Sequence, residues 1–383
     1  MQKLLILTDW YLPAYKAGGP VRSIFNLQQQ LKGIYDIYIL TSDRDLADTT
    51  AFTGIDTDLW IRHDEHTSVY YLSQQKQDYS HLSKIITALS PDIMYLNSMY
   101  SKVFSLMPLW YKLKNAPELN TILCPRGMLR PSAVSNKAIK KKLFLRIMRI
   151  LDIAGKIRFH ATDAQEESDI RTWFGNKADI QQISNVPGMT GYSPVTKNPG
   201  QLKILFAGRI HPVKNLHFAL EVLKETDCQI TFRIAGNIED PDYLHKCRQI
   251  IHKLPPNIQT QITGALTNEQ MLQEYHWCHL MFLPTTGENF GHAIFETLSA
   301  GRPVLISDQT PWKSLEQTGA GAAIPLTEPG QYRHYIQKLC KTDQASYDQI
   351  CHQAMQYATD FTDKQDFRTQ YQQLFTARHT TTI

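Results

Sequence analysis

The sequence predicts an α/β protein made of two doubly wound domains, and three observations lead to that prediction. Short apolar runs recur along the chain, and each is followed by a polar or glycine-containing turn and then by a helical pattern. Apolar runs with little alternation are typical of strands buried on both faces of a parallel sheet. Helices between such strands form βαβ units. A segment rich in proline and glycine divides these units into two series.

Nine apolar runs are predicted to be strands. The first series contains Leu4–Leu7, Ile37–Leu40, Val69–Leu72, Ile93–Leu96 and Thr121–Cys124. The second series contains Lys203–Phe206, Thr231–Ala235, Leu280–Leu283 and Val304–Ile306. The dividing segment, Asn185–Gly200, holds three prolines and three glycines and predicts domains at residues 1–187 and 188–360. Because doubly wound sheets bind ligands at the carboxyl ends of their strands, a cleft between the domains is the expected active site.

Composition excludes several classes of protein. The chain of 383 residues is 42% hydrophobic and 20% charged, which argues against disorder, collagen and coiled coil. A net charge of +4 is too small to indicate nucleic-acid binding. No two of the six cysteines lie within four residues of each other, so reduced thiols in a cytoplasmic protein are expected. The apolar runs are too short for a signal peptide or a membrane span.

The stretch Thr286–Ile306 has the pattern of an anion site. A helix is predicted to begin near Gly291 and to end at Gly301, and backbone N–H groups at a helix N-terminus attract anions. Glu288 lies in the loop and Glu296 about one turn inside the helix. The two carboxylates can accept hydrogen bonds from sugar and ribose hydroxyls. The alternative is that Glu288 is a helix-start acid and that Glu296 is solvated.

A second candidate site follows the strand Lys203–Phe206. Arg209 and Lys214 lie on one strand-to-helix loop, at the carboxyl edge of the predicted sheet. The guanidinium fork and the ammonium can together hold a diphosphate, and such a pair stabilises a leaving diphosphate without a divalent metal. The alternative is a pair of ordinary surface cations.

These stretches together resemble the group-1 (family 4) retaining glycosyltransferases, of the type that builds bacterial surface polysaccharides. The likeness spans most of the chain, and its C-terminal motifs are the specific ones. It rests on Gly208-Arg209, Lys214-Asn215, Glu288 and Glu296 eight residues apart, the Glu-Asn-Phe-Gly core, Gly301-Arg302-Pro303-Val304, Gly18-Gly19-Pro20 and Asn185-Val186-Pro187.

The resemblance implies the GT-B architecture, in which two Rossmann-like domains face each other across a cleft. It implies metal-independent, retaining transfer of a sugar from a nucleotide-diphosphate sugar, with UDP favoured over GDP and no cofactor required. The acceptor would be a glycan or a polyprenyl-diphosphate-linked glycan in bacterial polysaccharide biosynthesis. The final helix, Phe361–Phe375 in a segment of about 361–383, would return to the first domain.

The resemblance also implies roles for individual residues. Arg209 and Lys214 would bind the diphosphate and stabilise it as it leaves, while Glu288 would contact the donor sugar and Glu296 the ribose. The remaining donor-binding residues would be Gly19, Gly208, Asn289, Phe290 and Gly291.

The acceptor side is predicted at Asn97, Tyr100 and Arg126. Many relatives carry a histidine in the segment that contains Arg126 here. An arginine can contact a sugar hydroxyl, an acceptor phosphate or the donor diphosphate. A front-face retaining reaction needs no protein nucleophile, because the leaving phosphate can take the acceptor proton, so activity is still expected.

No metal site is predicted. Three Asp-x-Asp matches, Asp43–Asp45, Asp56–Asp58 and Asp240–Asp242, are interpreted as surface turns. Residues 136–151 interleave six basic residues with apolar residues, which at helical spacing suits peripheral contact with the inner face of the cytoplasmic membrane. The alternative is a helix docked on its own sheet with a solvated basic side.

Three other functions remain open. The same fold serves nucleotide-sugar epimerases and phosphorylases, and a non-catalytic nucleotide-sugar binder would keep every donor contact. A dinucleotide-binding dehydrogenase is disfavoured, because no G-x-G-x-x-G follows the first strand. A measurement of turnover would distinguish an enzyme from a protein that only binds a nucleotide sugar.

Overall fold

The computed structural model describes residues 1–131 and 138–376. The chain forms two compact units. The first contains Met1–Ala14, Ser23–Val186 and the C-terminal segment from Asp366, and the second contains Tyr15–Arg22 and Pro187–Gln365. Both units are mixed α/β with a Rossmann-like parallel sheet.

The first unit has an eight-stranded sheet of order β3-β4-β2-β1-β5-β6-β7-β8. All pairs are parallel except that of β3 with β4. The strands are β1 Gln2–Leu7, β2 Tyr35–Ser42, β3 Trp60–Arg62, β4 Thr67–Leu72, β5 Ile93–Asn97, β6 Asn120–Cys124, β7 Arg158–Ala161 and β8 Ile180–Gln182.

Helices pack against this sheet. They are α1 Gly19–Leu31, α2 Tyr79–Leu89, α3 Met107–Asn115, α4 Ala138–Ile150, α5 Ile153–Lys156 and α6 Ala164–Phe174, with a 3₁₀ turn at Gln74–Lys76 and a π-helical turn at Lys102–Leu106. The first four residues of α1 group with the second unit.

The second unit has a six-stranded, wholly parallel sheet of order β11-β10-β9-β12-β13-β14. Its strands are β9 Gln201–Ala207, β10 Gln229–Ala235, β11 Ile258–Gly264, β12 Leu280–Leu283, β13 Val304–Ser307 and β14 Gly321–Ile324. Its helices are α7 Leu216–Lys224, α8 Pro241–Ile251, α9 Asn268–Trp277, α10 His292–Ser299, α11 Leu315–Thr318, α12 Pro329–Lys341 and α13 Gln344–Asp363, with a 3₁₀ turn at Pro212–Lys214.

The predicted final helix, Phe361–Phe375, is divided between two helices. Helix α13 ends at Asp363, and Asp366 caps a new helix, α14 Phe367–Phe375, by accepting a hydrogen bond from the Thr369 amide at 3.1 Å. Helix α14 groups with the first unit. Phe361 differs from the prediction, because it lies in α13 and packs on Trp312 within the second unit, with ring centroids 5.0 Å apart.

Candidate donor site

The two motifs of the second unit adjoin because their strands are neighbours. Strand β12 pairs with β9 in parallel, so the loops after Ala207 and Leu283 leave the same edge of the sheet. The amide of Thr286 donates to the carbonyl of Val213 at 2.8 Å, and the Thr285 hydroxyl donates to the same oxygen at 3.0 Å. These bonds join the loop that carries Glu288 to the turn that carries Lys214.

Lys214 and Glu288 form an ion pair at this edge. Only 13% of the Lys214 side chain and 17% of the Glu288 side chain are exposed. A Cβ on Gly208 would lie 3.5 Å from Cγ and Cδ of Lys214, so this glycine lines the aliphatic part of the lysine. An ammonium group has three donors, and Lys214 can therefore contact an anionic ligand while it keeps the carboxylate.

Arg209 lies on the same loop but is more exposed, and it pairs with Glu239. Gly236 sets the path of this loop. Its φ is +154°, and a Cβ there would lie 1.9 Å from the carbonyl oxygen of Gly208. Arg209 and Lys214 thus share a loop, and each has its own carboxylate partner.

Gly291 forms the N-cap of α10 in the left-handed region, with φ +79°. A Cβ at this position would lie 2.9 Å from Ile294 Cδ1 and 3.0 Å from Glu288 Cγ. The preceding Phe290 is buried, and its carbonyl accepts a hydrogen bond from the indole N–H of Trp312, while Asn289 is partly exposed. The motif thus places a helix N-terminus directly after Glu288, an arrangement suited to an anion.

Glu296 is buried rather than solvated, so the solvated alternative is wrong for this residue. Its Oε1 accepts from Arg22 Nε at 2.7 Å, and its Oε2 accepts from the Tyr275 hydroxyl at 2.9 Å. Burial raises the pKa of Glu296, and the Arg22 guanidinium opposes that rise. Neither Arg22 nor Tyr275 is predictable from the sequence as a partner of Glu296.

Gly19 lies beside the same helix. It begins α1 and belongs to the segment that groups with the second unit. A Cβ on Gly19 would lie 3.8 Å from Cδ2 of His292, the first residue of α10. Gly19 therefore lies beside the first turn of the helix that follows Glu288 and Gly291.

Two of the three predicted acceptor-side residues lie in contact within the first unit. Arg126 has a positive φ of 57°, and its Nε donates to the Asn97 side-chain oxygen at 2.6 Å. Its other nitrogens donate to Asn185 and, at 3.2 Å, to the Tyr95 hydroxyl. The guanidinium thus contacts three protein acceptors, which argues against a free catalytic base at this position.

Tyr100 lies apart from that network. Its ring packs edge-on against Phe144 with centroids 5.7 Å apart, and the Lys141 ammonium lies 5.0 Å from the ring centroid. Burial raises the pKa of Tyr100 to about 12.

The interpretation of the Asp-x-Asp matches as surface turns is wrong for Asp43–Asp45, while Asp56 and Asp242 are exposed. Asp43 and Asp45 are buried, and Asp43 pairs with Arg44. Asp240 caps α8 by accepting from the Tyr243 amide at 2.9 Å, while Asp58 accepts two hydrogen bonds from Ser73. Each motif has a structural role instead, and residues 1–131 and 138–376 contain no group of three or more His, Cys, Asp or Glu side chains arranged to hold a metal.

Residues 138–150 of the basic amphipathic segment form α4, and Leu151 lies in the turn after it. Residues 136 and 137 lie outside the described residues. Leu145 and Met148 are buried against the unit's own core. A second apolar row faces outward, formed by Ile139, Leu143, Ile147 and Ile150, with exposures of 85%, 57%, 47% and 81%. The helix therefore docks on its own domain and still presents an apolar face. In the described part of the chain, no helix is both long and apolar enough to cross a bilayer.

The second unit is similar in sequence to one known protein family. Residues 193–359 match the model of the family described as Glycosyl transferases group 1, so this part of the chain is similar to that family. No curated protein shows significant sequence similarity to the chain.

Solved structures of glycosyltransferases share the fold of both units. Sucrose-phosphate synthase from Thermosynechococcus elongatus superposes with a TM-score of 0.73 at 16% identity, covering 98% of each chain. Anabaena HepE in complex with UDP and glucose gives 0.71 at 18% identity, also over 98% of each chain. S. aureus TarM, solved with fondaparinux, α-GlcNAc-glycerol and UDP, gives 0.70 at 13% identity over 98% of this chain and all of TarM. The two Rossmann-like units are those of the GT-B fold.

Proposed function

We propose that the protein is a retaining glycosyltransferase that moves a sugar from UDP-sugar to a glycan or lipid-linked glycan acceptor in bacterial polysaccharide biosynthesis. The observation that carries the proposal is the Lys214–Glu288 pair beside the N-terminus of α10, within the part of the chain that is similar to the group 1 glycosyl transferases. UDP is favoured as the nucleotide because HepE was solved with UDP-glucose and TarM with UDP.

The residues account for a front-face reaction. Lys214, Arg209 and the amides that begin α10 stabilise negative charge on the departing diphosphate. Glu288 holds a donor-sugar hydroxyl, and Glu296 accepts hydrogen bonds from the ribose. The bond from the anomeric carbon to the diphosphate oxygen breaks, and the acceptor oxygen bonds to that carbon on the same face. The acceptor proton passes to the departing phosphate oxygen, so no protein base is required.

Release of UDP tests the proposal. The purified chain is incubated with a panel of UDP- and GDP-sugars and glycan acceptors, with and without EDTA. We expect UDP formation that depends on acceptor, persists in EDTA and yields a product with the donor's anomeric configuration. Inversion of that configuration, or loss of activity in EDTA, contradicts the mechanism.

One observation favours a second candidate, a non-catalytic nucleotide-sugar binder. Arg126 occupies the segment where many relatives carry a histidine, and it donates to Asn97, Asn185 and Tyr95. A binder would bind UDP-sugar in the same panel and release no UDP with any acceptor.

We further propose that α4 contacts an anionic membrane and brings the protein to a lipid-linked acceptor. Its outward apolar row lies among the exposed cations Lys140, Lys142, Arg146 and Arg149, the combination that binds acidic lipid surfaces.

The double substitution Ile139→Ser/Leu143→Ser is expected to abolish sedimentation with phosphatidylglycerol vesicles. Leu59→Ser removes another exposed apolar side chain, outside α4, and should leave sedimentation unchanged. Equal binding by all three proteins would contradict the proposal.

A further inference from the structure

We infer that Arg22 is a positioning residue of the donor site, which keeps the buried Glu296 carboxylate charged and oriented to accept hydrogen bonds from the ribose of a nucleoside diphosphate. The inference deepens the proposed function and rests on it, because it takes the nucleotide to be the ligand of Glu296. Arg22 follows the glycine pair by three residues and is not itself placed against the reacting atoms.

The geometry holds Glu296 from two sides. Arg22 Nε lies 2.7 Å from Oε1, and the Tyr275 hydroxyl lies 2.9 Å from Oε2. The side chain of Glu296 is 6% exposed and that of Arg22 is 21% exposed. Each carboxylate oxygen can accept a second hydrogen bond, so two acceptor positions remain in a fixed orientation.

Arg22 controls whether the Glu296 carboxyl group is charged. Burial favours the neutral carboxyl and raises the pKa of Glu296, whereas Arg22 and Tyr275 favour the carboxylate and lower it. A protonated carboxyl would turn one acceptor into a donor and lose part of its ability to bind hydroxyl groups. Without Arg22, the carboxyl would stay protonated to a higher pH.

The elements packed around α10 contribute these other titratable groups. On α10 itself, His292 lies one turn before Glu296, and Tyr275 comes from α9. Helix α13 packs on α10 and buries Tyr347 and Cys351. The Tyr347 hydroxyl donates to the His279 carbonyl at 2.8 Å, and Cys351 interacts with Arg302. Strand β13 contains no titratable side chain. Within residues 1–131 and 138–376, Arg22 is the cation seen in contact with the carboxylate.

The test measures the dissociation constant of UDP between pH 6 and pH 9 for the wild-type chain and for Arg22→Met, Arg22→Lys and Glu296→Gln. Each variant's constant is divided by the wild-type constant at the same pH, which removes the titration of UDP itself. For Arg22→Met we expect the ratio to rise about tenfold from pH 9 to pH 6 and to approach that of Glu296→Gln, the size of a lost charged hydrogen bond. Arg22→Lys should give a flat ratio.

A pH-independent ratio for Arg22→Met would overturn the inference, since a merely structural role lowers affinity equally at every pH. Arg22→Gln replaces Arg22→Met in this test if the methionine variant does not fold.

A second measurement needs no ligand. At pH 6, Arg22→Met should show the infrared absorption of a protonated carboxyl group that disappears in Arg22→Met/Glu296→Gln, and its absence would also overturn the inference. Failure of the wild type to bind UDP would instead contradict the proposed function.

Discussion

Lys214 and Glu288 lie 74 residues apart in sequence and contact each other at the edge of the second sheet. Sequence reasoning could place both residues there, because each follows a buried strand and the carboxyl ends of parallel strands meet at one edge. It could not pair Arg22 with Glu296, which are 274 residues apart and share no pattern. That contact depends on the three-dimensional path of the chain before α1.

At the residue scale, Lys214→Ala is predicted to lower kcat/KM by about 100-fold or more, the usual effect of removing one group that stabilises a developing charge. The matched control is Lys224→Ala, which removes an exposed lysine from α7 that lies 3.9 Å from Glu221 and should leave kcat/KM unchanged. Steady-state kinetics with the UDP-sugar that supports turnover measure kcat/KM for both variants. Similar rates for both variants would show that Lys214 does not bind the diphosphate.

A second residue-scale prediction concerns His160, which is fully buried in the first unit. Its ring nitrogens contact the Tyr95 hydroxyl and the Ile183 carbonyl, each at 2.8 Å. Burial, assisted by the charge of Arg126, lowers the pKa of His160 from 6.5 to about 3. The unfolded chain therefore binds a proton below pH 6.5 that the folded chain does not bind until about pH 3.

Stability should consequently fall as pH decreases through this window, and His160 should account for about 2 kcal/mol of unfolding free energy between pH 7 and pH 5. Urea unfolding at several pH values measures the slope. His160→Gln is expected to be less stable overall but to have a shallower slope in that range. An unchanged slope would mean that other groups, such as the buried His279, whose pKa is lowered to about 4, dominate the acid sensitivity.

At the element scale, all nine strands predicted from apolar runs are present in the structure. The five that were missed, β3, β7, β8, β11 and β14, lie at or next to a sheet edge. Edge strands are covered on fewer sides, so they need no continuous apolar run. Strand β11, for example, reads Ile-Gln-Thr-Gln-Ile-Thr-Gly, and its polar residues are partly exposed. The strands in the interior of each sheet could thus be predicted from the sequence, and those at or next to its edges could not.

The returning helix α14 gives a prediction at the same scale. Phe375 is buried and packs edge-on against Tyr35 and Tyr95, with centroids 5.7 and 5.6 Å apart. Phe375→Ala should destabilise the first unit by about 3–5 kcal/mol, the usual effect of truncating a buried phenylalanine. Gln373→Ala changes an exposed residue of the same helix and should have little effect on chemical denaturation. Equal stability of the two variants would mean that α14 does not contribute to the core.

At the scale of the whole molecule, the chain crosses between its two units more than once. The segment 183–198 has no regular structure, as its prolines and glycines predict, and the units separate after Val186. The second unit also includes Tyr15–Arg22 from the beginning of the chain. Composition and periodicity predicted the two sheets, but they contain no information on which short segments change unit.

The central claim is that the second unit binds a uridine diphosphate sugar through Lys214, and thermal unfolding with nucleotide tests it most directly. UDP at 100 times its dissociation constant should stabilise the wild-type protein by about 2.7 kcal/mol, with or without Mg²⁺. GDP should give a smaller shift at the same concentration, and Lys214→Ala should lose most of the response to UDP. No shift with UDP, or an equal shift in the wild type and Lys214→Ala, would contradict the account.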